Sequence, residues 1–315
     1  MSADKYSTHA GLVGMAALWG ASWPWGQVVA QSMPPLAAAS IRFILASVVL
    51  MFWLYRRGGT KSLFALNIGQ WAGMGCASAV GVLGYSIFFL LSLQIVPAGK
   101  AAMVVALNPV LTMMFAVVLF REKVNLTMGT GVVLAVTGAL YALTDGGLLA
   151  IRLGQSGMGE LLLLGCAGCW VGYTLVGRMV LTTVDSLTTT TVTSAIGAVL
   201  LFSASMMLEG PAAWSGLRDT PAMAWLSIVG LALGATALAY AWYMNGIKVL
   251  GAGAAAAYMS LVPLFGMLLS SLWLGESLTT SLVGGGALAI SGMLLINRGR
   301  LSLARAPKNP PESRQ

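Results

Sequence analysis

The sequence is poor in the residues that carry most enzyme and metal chemistry. Only 8% of its 315 residues are charged, it has one histidine, and its three cysteines stand within apolar segments. Cys166 and Cys169 are three residues apart, but no histidine or carboxylate is placed to complete a metal site with them. The apolar segments also lack a Ser-His-Asp set and a carboxylate pair. We therefore predict that the chain is not an enzyme and uses no metal or cofactor.

Acidic side chains are missing from the middle of every apolar segment. All nine lie at segment ends, in connecting segments or in the tails: Asp4, Glu122, Asp145, Glu160, Asp185, Glu209, Asp219, Glu276 and Glu312. In a membrane carrier, a carboxylate at mid-membrane is often what allows exchange of organic cations for protons, since the proton and the drug neutralise it in turn. A carrier without one is better suited to neutral or zwitterionic substrates. Proton coupling through the peripheral Glu160 or His9 stays open.

Apolar residues, by contrast, are abundant and occur in long runs. They make up 58% of the chain, and a run of about 18 or more is typical of a membrane-spanning helix. Ten such runs occur, at residues 10–30, 36–55, 67–91, 99–120, 126–144, 158–178, 187–208, 222–244, 252–274 and 279–297. The alternating pattern of a β-barrel, the other structure that lipid admits, is absent. The prediction is an all-α integral membrane protein with ten transmembrane helices.

The second half of the sequence repeats the first. From Trp71 to Gly138, residues recur 154 positions later in the pairs Trp71/Trp225, Gly99/Gly253, Ala101/Ala255, Leu107/Leu261, Pro109/Pro263, Glu122/Glu276, Gly131/Gly285, Ala135/Ala289 and Gly138/Gly292. Upstream the offset is three residues shorter, so that Trp19 pairs with Trp170. Each half holds five runs, and an odd number makes the second half enter the membrane from the opposite side. This predicts two inverted-topology five-helix repeats, residues 10–144 and 158–297, joined by a loop at 145–157, with the substrate near the midplane between them.

The net charge of +8 indicates membrane orientation rather than a nucleic-acid partner. If residues 1–9 are cytoplasmic, 13 of the 17 basic residues lie on that side: Lys5, Arg56, Arg57, Lys61, Arg121, Lys123, Arg178, Lys248, Arg298, Arg300, Arg305, Lys308 and Arg314. Lys100, Arg152 and Arg218 lie on the other side. This distribution obeys the positive-inside rule. It predicts that both termini are cytoplasmic and that residues 298–315 form a basic, disordered tail.

Arg42 is the only charged residue well inside an apolar run, and such a residue is functional by default. Its guanidinium would attract the carboxylate of an amino-acid-like substrate, because guanidinium binds carboxylates in a bidentate manner. The alternative is a structural role, in which Arg42 binds backbone carbonyls or ties helices together. The sequence leaves both roles open.

Aromatic and amide side chains at helical spacing supply the other binding candidates. In the first run, Trp19, Trp23 and Gln27 follow one another at four-residue spacing on one helix face. Trp170 and Tyr173, three residues apart, stand at the equivalent place in the sixth run. The full set of candidates is Trp19, Trp23, Gln27, Tyr85, Asn108, Trp170, Tyr173, Tyr240 and Tyr258. Anchoring at the bilayer interface is the alternative for the aromatic members.

Two prolines occupy equivalent points of the fourth and ninth runs. Because proline removes a helical hydrogen bond, Pro109 and Pro263 are predicted hinges, with a static kink as the alternative. Pro24 predicts a break in the first helix. Asn108, beside Pro109, could bind the freed backbone or the substrate.

Four stretches of the sequence resemble the EamA-like branch of the drug/metabolite transporter superfamily. They are Trp19–Ser22, Ala39–Phe43, Ala101–Glu122 and the repeat of the last stretch at Ala254–Glu276. The resemblance covers roughly residues 10 to 297. It implies a ten-helix carrier of small metabolites in a bacterial inner membrane, with a central cavity lined by helices 1, 3, 4, 6, 8 and 9. The second half departs from the pattern because Thr193 stands where Arg42 would be matched, so the site should be chemically asymmetric.

The leading hypothesis is a secondary transporter that exports small metabolites, foremost amino acids, aromatic ones included, and related amphiphiles by alternating access. The alternative is a multidrug exporter of aromatic or cationic toxic compounds, which the aromatic candidates would favour through cation–π contacts. The expected partners are a small-molecule substrate and the lipid bilayer, with no nucleic acid. A homodimer stays open, since small-residue faces on the fifth and tenth helices would serve either state.

Overall fold

A computed structural model describes residues 3–120, 124–146, 155–180, 184–250 and 252–305, and these residues are helical with short connections. The long helices, numbered in chain order, are α1 Ala3–Ser32, α2 Pro35–Arg56, α3 Ile68–Leu93, α4 98–120, α5 Leu126–Leu143, α6 Gln155–Val180, α7 Ser186–Leu208, α8 Ala222–Leu250, α9 252–274 and α10 Thr280–Arg305. Short helices at Thr60–Phe64 and Gly210–Ser215 lie in the connections before α3 and α8.

Nine of the helices, α2 to α10, are long and apolar enough to cross a membrane. Helix α1 is not among them although it has 30 residues. Its tryptophans, together with Pro24 and Gln27, dilute the aliphatic residues that would give it a higher hydropathy. The all-helical, multi-span class is confirmed, whereas the count of ten spans and their inverted arrangement stay predictions.

Departures from regular α-helix occur at equivalent places in the two halves. Helix α3 is π-helical over Ala79–Gly84, and α8 is π-helical over Gly230–Leu238. Helix α4 contains a 3₁₀ segment, Met103–Ala106, and α9 contains one at Tyr258–Leu261. Segments of both kinds often mark functional or mobile sites in helices. Their recurrence shows that the repeat seen in the sequence is also a repeat of local backbone structure.

Helices α5 and α10 pack backbone to backbone through glycines that are repeat equivalents of one another. A Cβ atom added to Gly292 would lie 2.3 Å from the backbone nitrogen of Ala135, and one on Gly138 would lie 2.4 Å from that of Ala289. Small residues permit this close approach. In lipid, where no hydrophobic force drives helices together, van der Waals packing of this kind holds them in contact. The small-residue faces that could have served a dimer are therefore occupied within one chain.

The first and last helices extend beyond the apolar runs that predicted them. Helix α1 begins at Ala3, seven residues before the first apolar run, and continues through Pro24 without a break. Helix α10 continues to Arg305, so residues 298–305 are helical rather than part of a disordered tail. This extension contacts the start of α5, where the Asn125 amide donates to the carbonyl of Gly299 at 3.0 Å and to the hydroxyl of Ser302 at 2.9 Å.

A central aromatic and hydroxyl site

A cavity of ≈ 50 Å³ lies between α2, α3, α6, α7 and α8. All of its lining residues stand at least one turn inside their helices, which places the cavity in the interior of the bundle. They are Arg42, Phe43, Gly81, Val82, Tyr85, Trp170, Tyr173, Thr190, Thr193, Ser194, Thr236 and Tyr240. The set combines one cation, several aromatic rings and several hydroxyl groups, and contains no carboxylate.

Repeat-equivalent residues from the two halves meet at this cavity. Arg42 and Thr193, which occupy matching positions of α2 and α7, both line it. Trp19 and Trp170, which match in α1 and α6, are in edge-to-face contact beside it, with ring centroids 6.2 Å apart. The two halves therefore build one site together, and that site is asymmetric because only one half supplies a charge.

Arg42 has no ionic partner at this site. Its Nη2 donates one long hydrogen bond, 3.4 Å, to the hydroxyl of Thr236, and its Nε is buried without a hydrogen-bond partner. The guanidinium carbon lies 5.1 Å from the ring centroid of Phe43 and 6.0 Å from that of Phe89. Among the described residues no carboxylate is within ion-pair distance of it. A buried guanidinium that rests on rings and keeps a free donor is suited to bind an anionic group.

Five of the aromatic candidates belong to one connected cluster at the cavity, which Tyr243 and Phe89 extend through contacts with Trp19 and Tyr85. Trp19 contacts Tyr240 at 5.6 Å between ring centroids as well as Trp170, and its indole nitrogen donates to the carbonyl of Ala235 at 2.9 Å. Trp170 contacts Tyr85 at 5.9 Å and Tyr173 at 6.2 Å. Ring contacts of this kind have preferred geometries and stabilise the cluster beyond the burial of apolar area. The predictions for these aromatic residues and for Arg42 therefore converge on one place.

Two other candidates from α1 lie closer to one end of the bundle. Trp23 is buried, 2% exposed, with its ring 5.2 Å from that of Phe89. The side-chain oxygen of Gln27 accepts a hydrogen bond of 2.7 Å from the backbone N–H of Ala98, at the start of α4. Neither residue lines the cavity. Gln27 joins α1 to α4 instead.

Asn108 and Tyr258 are also absent from the lining of the cavity. The side-chain oxygen of Asn108 is buried without a hydrogen-bond partner. The hydroxyl of Tyr258 forms a 2.6 Å hydrogen bond with Nδ1 of His9, near the start of α1. The structure thus gives His9 a defined partner that the sequence did not indicate.

The two predicted hinge prolines follow the 3₁₀ segments of α4 and α9. Pro109 is the third residue of the α-helical segment that begins at Leu107, and Pro263 is the second residue of the segment that begins at Val262. Within these continuous helices each proline lacks the N–H of a helical hydrogen bond, and its ring crowds the carbonyl four residues earlier, that of Val105 or Met259, inside the 3₁₀ segment. The irregular backbone therefore lies just before each proline, and a hinge role for them stays a prediction.

Sequence reasoning missed the contribution of α7. Thr190, Thr193 and Ser194 line the cavity, yet only Thr193 was noticed, as the counterpart of Arg42. The available signal was the dense run of threonines at the start of this apolar helix. The resemblance implied a cavity lined by helices 1, 3, 4, 6, 8 and 9. Instead α2 and α7 provide lining residues, and α1, α4 and α9 provide none, so that Trp19 lies behind the lining in contact with Trp170 and Tyr240. Helix α9 packs closely against both α1 and α4.

Comparisons with known proteins identify the family and the fold of the chain. The model of the family described as EamA-like transporter family matches residues 7–144 and again residues 157–298. The "Uncharacterized transporter YyaM" of Bacillus subtilis is 28% identical over 284 residues, which cover 90% of this chain and 91% of that protein. A solved crystal structure with 22% sequence identity matches the fold with a TM-score of 0.63, covering 93% of this chain and 98% of the other.

Two further relatives have names that mention amino acids. The "Probable amino-acid metabolite efflux pump" of Salmonella typhimurium is 26% identical and covers 88% of this chain and 90% of its own length. The "Probable terminal-alkyne amino-acid exporter" of Streptantibioticus cattleyicolor is 27% identical and covers 74% of this chain and 75% of its own. The three named relatives are described as a transporter, an efflux pump and an exporter.

Proposed function

The chain belongs to the EamA-like transporter family, and on that basis we propose that it is a secondary transporter exporting amino acids and related amphiphilic metabolites across a bacterial inner membrane. Two relatives named for amino-acid export or efflux support the substrate class. Aromatic amino acids are the preferred members of this class, since the central cavity is surrounded by rings.

The observation that carries the proposal is the unpaired guanidinium of Arg42 inside a cluster of rings. An amino acid has a carboxylate that Arg42 can bind through its free donor. Its side chain can contact Trp170 and Tyr85, while the hydroxyls of Thr190 and Ser194 can accept hydrogen bonds from the ammonium group. Each part of the substrate thereby has a partner of matching chemistry.

Alternating access in this proposal uses ten spans arranged as two inverted repeats, with α1 as the tenth span. Support comes from the double match of the family model and from the recurrence of the π and 3₁₀ segments. The crossing of α5 and α10 through equivalent glycines adds to it. Residues 10–144 and 158–297 are the two repeats, and both termini are cytoplasmic by the distribution of basic residues.

A multidrug exporter of cationic aromatic compounds is the second candidate, favoured by the same rings through cation–π contact. Arg42 counts against it, because a cation bound among these rings would lie close to an uncompensated positive charge. The two candidate functions predict different fluxes for a cationic compound without a carboxylate: the multidrug exporter would transport it and the amino-acid exporter would not.

The test is flux into proteoliposomes of purified protein, with labelled phenylalanine, tryptophan, threonine and methyl viologen, each with and without a pH gradient. We expect saturable flux of the amino acids, strongest for the aromatic ones, and none of methyl viologen. Trp170→Ala should reduce it, since that ring contacts Trp19, Tyr85 and Tyr173 at the cavity. Trp225→Ala is the matched control, because Trp225 is a surface tryptophan of α8, 37% exposed. Flux of methyl viologen alone, only with the gradient, would instead establish the drug exporter.

A further inference from the structure

A second, smaller cavity lies between α1, α2, α3 and α8, and Arg42 borders both it and the central cavity. Its volume of ≈ 10 Å³ is room for about one water-sized sphere. Among the described residues that line it, Arg42 and Ser86 are polar. The other seven are apolar: Val29, Ala38, Ala39, Phe89, Leu90, Ile228 and Leu231. The side chain of Arg42 therefore separates a large polar space from a small and mostly apolar one.

Ser86 carries a hydroxyl group that its own helix does not use. The residue is 2% exposed, and its Oγ has no hydrogen-bond partner among the described residues. Other buried serines bond a carbonyl of the preceding turn, as Ser92 does with that of Phe89 at 2.8 Å. Ser86 follows the π-helical segment of α3, and the carbonyl four residues before it, that of Val82, already accepts from the N–H of Tyr85. The Ser86 hydroxyl is therefore available to donate to a ligand.

Arg42 brings a second unused donor to the same place. Its Nε is buried without a partner among the described residues, whereas its Nη2 donates to Thr236, which lines the central cavity. Helical side chains lean toward the N-terminus of their helix, so the stem of Arg42 passes Ala38 and Ala39, both of which line the small cavity. Nε is the nitrogen nearest to that stem. Two unpaired donors therefore border one small space.

The charge of this pair determines which ligand suits it. A guanidinium has donors only and does not lose its proton in proteins. A water molecule could accept its hydrogen bonds but would leave the positive charge uncompensated, and an isolated buried charge is costly. An anion satisfies the donors and compensates the charge together. The volume of the cavity restricts this anion to a small one, such as a chloride ion, for which the apolar lining side chains need to give only slightly.

We propose that Arg42 and Ser86 form an anion pocket, which holds one small monovalent anion such as chloride until the carboxylate of a substrate replaces it. The anion accepts hydrogen bonds from Nε of Arg42 and from the Ser86 hydroxyl, and hydrogen bonds of this charge-assisted kind are the strong ones. When an amino acid binds, its carboxylate pairs with the guanidinium and the anion leaves. The exchange rests on the proposed transport function, whereas the pocket itself does not.

The first measurement is equilibrium binding of radiolabelled chloride to the purified protein in detergent, without amino acids. The buffer contains sulfate, a divalent anion too large for the cavity. Ser86→Ala removes one donor with little change in size. Ser92→Ala is the matched control, because Ser92 is buried in the same helix and its hydroxyl already bonds the carbonyl of Phe89. Arg42→Gln removes the charge, and size-exclusion chromatography checks that each variant is folded.

We expect saturable chloride binding by the parent protein and none by Arg42→Gln. Ser86→Ala should raise the dissociation constant of chloride about tenfold or more, as expected when a hydrogen bond to a charged group is lost. Ser92→Ala should bind chloride as the parent does. A parent protein without saturable binding overturns the pocket, since the cavity then holds water at most. Equal dissociation constants for Ser86→Ala and Ser92→Ala overturn the assignment of Ser86.

A second measurement tests the exchange of the anion for substrate. Phenylalanine should displace the bound chloride competitively, whereas phenethylamine, which lacks the carboxylate, should not. Displacement by both compounds or by neither overturns the exchange, while the pocket is judged by the first measurement. Absence of amino-acid flux into proteoliposomes would refute the transport proposal separately, because binding of chloride requires no substrate.

Discussion

The contact between α5 and α10 gives the sharpest prediction about stability. In Gly292→Ala the new Cβ would lie 2.3 Å from the backbone nitrogen of Ala135 and 2.5 Å from the carbonyl oxygen of Gly131, where ordinary contact begins near 3.4 Å. Both obstacles are backbone atoms, so no side chain can rotate away. The helices must move apart by roughly an ångström, and overpacking of this kind typically costs about 1–3 kcal/mol.

The helix propensity of alanine offsets part of this cost. Alanine in place of glycine inside a helix stabilises it by about 1 kcal/mol. We therefore expect a net loss of up to about 2 kcal/mol for Gly292→Ala, which is the overpacking cost reduced by that gain, and a loss of about 1–3 kcal/mol relative to a glycine-to-alanine change that meets no obstacle. Gly129→Ala on α5 is the matched control, because nothing lies within 4 Å of its added Cβ. That variant should be unchanged or slightly more stable.

The assay is thermal denaturation of purified protein in detergent, followed by the loss of monodisperse protein on size-exclusion chromatography. Gly138→Ala, whose Cβ would lie 2.4 Å from the nitrogen of Ala289, should reproduce the fall in the midpoint seen for Gly292→Ala. If both variants denature at the same temperature as Gly129→Ala, the two helices do not touch backbone to backbone. The conclusion that α5 and α10 are fixed against each other would then be wrong.

Three predictions concern the central site and transport. Arg42→Gln should raise the half-saturation concentration for phenylalanine about tenfold or more, the loss of a hydrogen bond to a charged group, and should spare any flux of phenethylamine, which lacks the carboxylate. Gly81→Ala places a Cβ 2.2 Å from Tyr173 Cδ2 and should reduce tryptophan flux more than alanine flux, whereas Gly75→Ala on the same helix meets open space and should do neither. Pro109→Ala should slow transport without preventing membrane insertion; a wild-type rate in that variant would contradict the hinge.

The class of fold was predictable because it depends on long-range composition and on the repeat. Apolar runs identify spans without knowledge of contacts, and the matched glycines of α5 and α10 were visible as pairs. Their mutual contact was not visible, since pairing at equal offsets does not reveal that Gly131 faces Gly292 rather than a second chain. Similarly, the contact between the extended end of α10 and the Asn125 side chain joins residues that are far apart in sequence.

The site was predictable where a side chain is rare for its environment and unpredictable where it is common. Arg42, Tyr85 and Trp170 were candidates because charge and large rings are unusual in the middle of an apolar run. Thr190 and Ser194 were missed, because hydroxyls in membrane helices usually bond the backbone of their own helix, as Thr191 does with the carbonyl of Leu187 at 2.7 Å. Only the three-dimensional arrangement separates those that face a cavity from those that do not.

The central cavity is too small for the proposed substrate, so the bundle must open around it for that substrate to bind. At ≈ 50 Å³ it has room for a few water molecules only, whereas pockets for small-molecule ligands usually have about 300–1,000 Å³. An aromatic amino acid can therefore enter only if the rings around Trp170 separate. The α5–α10 contact leaves no room for adjustment, so we expect the change in helices that already depart from regular geometry. These are α3 and α8 with their π segments and α4 and α9 with their 3₁₀ segments. A substrate-bound structure in which those four segments kept their present backbone conformation would contradict this mechanism.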